Sequence, residues 1–138
     1  MVSDVRKRRG SLVLEATLGL PLLFIIVFAG LEFAWAFSKK VEVTNAARVA
    51  ARTASLAHST SMDVYAATSS QMAAAGFGLG DWDLELDPTN PAAATPGSPV
   101  SVVIRANYSA VSLGGLSDWF PLPDQISSAA VMRKEGNP

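Results

Sequence analysis

From Ala16 to Leu31 the chain runs sixteen residues without a charge, and only Glu32 interrupts the apolar run up to Phe37. A water-soluble core has no use for so long a stretch. As a helix, residues 16–37 would rise about 33 Å, close to the hydrocarbon thickness of a bilayer. In a chain of 138 residues, that leaves about 100 residues beyond the span, enough for a small folded head with a modest core. Zero cysteines exclude a disulfide framework, a Cys-ligated zinc and a thiol nucleophile. The net charge of −1 gives no basic field for nucleic acid.

Charge is unevenly placed. Arg6, Lys7, Arg8 and Arg9 cluster directly before the apolar run, and Lys39 and Lys40 follow it. Four basic residues against two keep the N-terminus cytoplasmic and place the residues after about 40 outside. Three organisations fit such a segment. "AWA" (34–36) resembles a signal-peptidase site, which would make the run a secretory signal. The run is longer than a signal core, however, carries Glu32 before the cut, and continues as helix beyond it. An uncleaved single-span anchor bearing an extracytoplasmic or secreted binding domain is the second. The third takes its cue from Gly10, between the basic cluster and the apolar run, and from Glu15 five residues on.

The remaining pattern predicts an α+β fold. Residues 11 to about 58 read as one long helix, half transmembrane. In its second half Asn45, Arg48, Arg52, Ser55 and Ser59 mark a polar face, while Val43, Ala47, Ala50, Ala54 and Ala57 mark a small-residue face. The alanines would let a sheet or a partner's helix come close to the helix backbone. Thr60 and Asp63 stand at capping-box spacing before a second, short helix over 61–75, which Gly76 and Gly78 should end. Strict alternation in "DWDLELD" (81–87), and again from Val100 to Tyr108, predicts two strands, with a Pro/Ala/Gly-rich loop over 88–99 between them. "ISSAAVMR" (126–133) reads as a third, giving a small antiparallel sheet of about three strands.

Few residues suggest chemistry. Asp81, Asp83, Glu85 and Asp87 lack the glycine and terminal glutamate of a calcium loop, and strand alternation explains their spacing. His58, the only histidine, falls at a helix end, where a cap or surface role is expected. Hydrolase, zinc-protease, Walker and dinucleotide patterns are missing, so no enzyme, metal or cofactor is expected. Trp119 and Phe120 sit in the proline-bounded "DWFPLP" (118–123), as core-edge packing or as an exposed tip.

"RRG|SLVLEA" resembles the leader junction of type IV pilin-like proteins. The wider pattern is similar to one branch, the TadE-like minor pilins (pseudopilins) of tight-adherence pili. The matching elements are Arg8, Arg9, Gly10, Glu15, Pro21, Glu32 and Phe33, then "VEVTNAARVAART" (41–53) and, at the end, "ISSAAVMRKE" (126–135). Ala16 departs from the branch, which commonly places an aromatic residue after the glutamate.

The resemblance implies a non-enzymatic subunit with three parts. These are a basic leader over 1–10, a transmembrane half-helix over 11–37 and an extracytoplasmic head over 38–138. It implies cleavage between Gly10 and Ser11 by a prepilin peptidase, leaving a mature chain of net charge −4 (seven basic, eleven acidic). Glu15 would meet the new N-terminal amine of a neighbouring subunit and set the axial register, since a wrong stagger leaves both charges unpaired. A simpler reading leaves Glu15 at headgroup depth, facing the favourable N-terminal end of the helix. Glu32, near the outer interface, is either solvated among headgroups or in contact with a partner subunit. Pro21 should kink or locally melt the span, unless it is a tolerated membrane proline. The implied partners are membrane lipid, the peptidase, a second, TadF-like minor pilin, the small major pilin and the inner-membrane assembly platform. The implied location is the bacterial inner membrane and, after assembly, the pilus.

Overall fold

A computed structural model describes the backbone of residues 2–113 and 122–136, and side chains from Val13 onward within those bounds. Helix α1 (Val2–Ser55) is followed by α2 (Ser61–Ala74) and by strands β1 (Trp82–Asp87), β2 (Pro99–Asn107) and β3 (Gln125–Arg133). Short 3-10 turns at Pro91–Ala93 and Tyr108–Ala110 punctuate the connections. The architecture is α+β: a long apolar N-terminal helix, a short second helix and a three-stranded antiparallel meander in the order β1-β2-β3. Trp119 and Phe120 lie outside the described residues.

α1 has 54 residues and would be about 81 Å long. Two of its bounds differ from the sequence reading. It begins in the basic segment rather than at residue 11, because nothing from Val2 onward breaks a helix and a lone interior glycine such as Gly10 costs only about 1 kcal/mol. It stops at Ser55 rather than near 58, where the chain turns back toward α2. The helix continues through Pro21.

α2 forms where the local chemistry asks for it. The Thr60 hydroxyl accepts from the Asp63 amide at 3.3 Å, and the Asp63 carboxylate accepts from the Thr60 amide at 2.9 Å, a reciprocal capping box. Bonds from the Thr60 hydroxyl and amide hold the Asp63 carboxyl below its ordinary range. At the other end Gly76 takes a φ of +89°, which glycine adopts at little cost. The Gly76 amide donates to Ala73 O, and Phe77 N donates to Met72 O at 2.9 Å. This is a Schellman closure, and the apolar contact that goes with it joins buried Phe77 and Met72.

The sheet turns one face to the helices. Trp82, Ala106 and Ile126 are in register across the three strands; so are Leu84, Ile104 and Ser128, and Leu86, Val102 and Ala130. Those residues face the two helices, β2 and β3 against α1 and β1 toward α2, whereas Asp83, Glu85 and Asp87 alternate onto the opposite face, where Glu85 accepts from Arg105 at 2.7 Å. On α1 the expected residues Val43, Ala47, Ala50 and Ala54 are fully buried, and Ala46 and Ala51 join them. The buried face is wider than one stripe because α1 packs against β2 and β3 and also against α2. Asn45, Arg48 and Arg52 are exposed, but Ser55 and Ser59 are buried, correcting the upper end of the expected polar face. There the chain after β3 folds over the helix end, with Glu135 N donating to Ser55 O at 2.8 Å.

Candidate functional site

Over Val13–Leu31 the helix is bare. Every residue but the partly covered Ala29 is exposed, including Leu18, Leu22, Phe24, Ile26 and Phe28. Those 19 residues rise about 28 Å, close to the roughly 30 Å of a bilayer core. α1 is the one described helix long and apolar enough to cross a membrane. Glu15 stands exposed near the start of the bare stretch, with no hydrogen-bond or ion-pair partner among the described residues. Gly10 and Ser11 lie on the same continuous helix, as do Arg6, Lys7, Arg8 and Arg9.

Where the bare stretch ends, a collar of polar contacts begins. Glu32 is 2% exposed, and its Oε1 accepts a 2.7 Å bond from the Tyr108 hydroxyl just past β2. The carboxylate is therefore held inside its own head, not solvated among headgroups, and the buried partner is intramolecular. Burial first, then the bond to Glu32 and the charge of that carboxylate, push the Tyr108 phenol well above its usual range. One turn further, Trp35 Nε1 donates to Val111 O at 2.6 Å. Buried Lys39 donates to Ala75 O, the cap residue of α2, at 2.7 Å and to Glu42 at 2.8 Å, with its ammonium 4.7 Å from the centre of the Trp35 ring. Its charge therefore sits at the negative end of α2. Lys40 donates to Ser127 O at the start of β3.

The head thus grips α1 from Glu32 onward, five residues before the expected boundary at 37. Sequence reasoning singled out Glu32 but missed Tyr108, Trp35, Lys39 and Lys40 as its companions. A carboxylate at the end of an apolar run signals that some partner exists. Nothing local identifies that partner as a tyrosine 76 residues away.

Away from the collar, Ser61, Met62, Tyr65, Leu84, Leu86 and Thr89 line a shallow groove of about 420 Å³ between α2 and β1. Tyr65 stacks on Trp82 at its edge, 5.3 Å between ring centres. The groove is mainly apolar, with the hydroxyls of Ser61, Tyr65 and Thr89 as its polar groups. His58 is exposed beyond the end of α1.

Fold and site together define a class of protein: a small α+β head clamped to the C-terminal end of one bare, membrane-length stretch of helix. Residues 10–52 match the model of the family described as TadE-like protein. Over that segment, which runs from Gly10 through the bare stretch and the collar into the buried alanines, the chain is similar to the TadE-like family. No curated protein matches the chain. No solved structure matches it either.

Proposed function

We propose that this chain is a minor pilin-like subunit that helps initiate or cap assembly of a Tad pilus. In this reading the prepilin peptidase removes residues 1–10, freeing the Ser11 amine. Glu15 then pairs with that amine on a neighbouring subunit, and the bare helix packs among those of the fibre. The single observation that supports it best is the TadE-like match beginning at Gly10, on a helix whose Glu15 has no partner among the described residues. A carboxylate in hydrocarbon is unfavourable by several kcal/mol unless it is paired or hydrated. Its place one turn from the cut makes the new amine a fitting counter-charge. The second minor pilin, the major pilin and the assembly platform are the corresponding partners.

Mass spectrometry of the protein, produced with and without its prepilin peptidase, tests the first step. The expected mature form begins at Ser11 only when the peptidase is present, and Gly10→Leu leaves the leader attached. A chain starting at Phe37, or a leader left intact in native cells, would overturn the proposal in favour of a secreted or simply anchored domain.

A further inference from the structure

The sheet is narrower than the helices it carries. α1 lies over β2 and β3, while α2 lies beside α1 and meets β1 through the stack of Tyr65 on Trp82. Two packed helices cover about 20 Å of sheet, and three strands offer only about 14 Å. α2 therefore overhangs the free side of β1, an edge strand in the order β1-β2-β3. Under that overhang lies the groove of about 420 Å³, with Leu84 and Leu86 on one wall and Met62 and Tyr65 on the other. Met62 is 72% exposed, so the apolar wall on α2 is uncovered.

The backbone of β1 is free on the same side. Asn107 N donates to Asp81 O at 2.8 Å, and in the antiparallel register this fixes which residues bond to β2. Asp83, Glu85 and Asp87 are in step with Asp81 and turn their amides and carbonyls to β2, whereas Leu84 and Leu86 turn theirs outward. Those outward groups have no partner among the described residues. The β2–β3 connection starts and ends at the Trp82 end of the sheet, where Tyr108 N donates to Asp124 O. The groove opens toward the Asp87 end and is lined by described residues alone.

Charge selects the kind of strand that fits. Asp83, Glu85 and Asp87 are all exposed on the outer face, and Glu85 is paired with Arg105 of β2. Asp83 and Asp87 have no ion-pair partner among the described residues. β1 of a second copy would set acid opposite acid, and β3 of a second copy would bring one cation, Arg133, to that face.

We propose that β1 accepts an antiparallel fourth strand from a partner protein, an extended segment that alternates apolar and basic residues. Its backbone bonds to Leu84 and Leu86, its apolar side chains fill the groove beside Met62 and Tyr65, and its cations lie over Asp83, Glu85 and Asp87. The surface lies wholly on the head and serves whether or not residues 1–10 are removed.

The probe is a fluorescently labelled Lys-Val-Lys-Val-Lys-Val-Lys peptide, titrated with the full chain in non-ionic detergent micelles and read by anisotropy against empty micelles. In an antiparallel strand the valine amides face β1 and the lysine amides face away. N-methylation of the valines is therefore expected to weaken binding at least several-fold, and N-methylation of the lysines to leave it unchanged. A peptide with glutamate in place of lysine should bind several-fold more weakly. Asp83→Lys combined with Asp87→Lys, both exposed, should reverse that preference. Equal affinity for the two methylated peptides would mean that charge alone attracts the peptide, and the proposal fails. The opposite order of the two would make the strand parallel, and absence of saturable binding by the parent peptide would remove it; each overturns the proposal. Self-association of the chain that the peptide reverses would give the edge to a second copy, which also refutes it.

Discussion

Glu32 shows how one residue can join two parts of a molecule. It is buried on α1, and the Tyr108 hydroxyl is its side-chain donor. Tyr108→Phe keeps the ring and removes the donor, leaving a buried carboxylate one bond short. The expected loss is about 1–3 kcal/mol of head stability, read by guanidinium unfolding of the full chain in detergent micelles. An unchanged midpoint would mean that water replaces the hydroxyl without penalty. The same contact sets a pH dependence. The folded phenol binds its proton more tightly than the unfolded one, which ionises near pH 10. The stabilisation is therefore complete below about pH 10 and is lost as pH rises beyond it toward the raised folded value. Tyr108→Phe should flatten that alkaline fall in unfolding midpoints measured between about pH 8 and 11.

Among the elements, the two helix C-termini are closed in different ways. α2 carries its own stop, with Gly76 and Phe77 beside the helix they close, and its capping box lies within four residues. Both signals are local, so both were legible in the sequence. α1 ends at Ser55 without a glycine, and buried Lys134, arriving from beyond β3, donates to Ala54 O and Leu56 O. No local pattern announces a cap supplied from 78 residues away. Lys134→Met removes it and leaves carbonyls at a helix end without their donor. Amide exchange at Ala51–Ser55 should quicken, and unfolding should shift by about 1–3 kcal/mol. Protection equal to that of the unaltered chain would assign the helix stop to Glu135 and its bond to Ser55 alone.

For the whole molecule, the bare span and the clamped head give Glu15 and the collar separate tasks. Glu15→Gln should leave membrane insertion and the fold intact and lower incorporation into pili at least several-fold, measured by co-purification with sheared fibres. Normal incorporation would make Glu15 a helix-start carboxylate with no role in register. The sequence alone was enough for the long apolar helix, the α+β order, the strand faces and the capping box. Each rests on periodicity, turn chemistry or length over a few neighbouring residues. Only the tertiary structure decided that Glu32 is an internal ligand of Tyr108 and that Lys39 and Lys134 are buried helix caps. These depend on which distant groups meet once α1 is packed against both the sheet and α2, and a polar side chain declares its need for a partner without naming it.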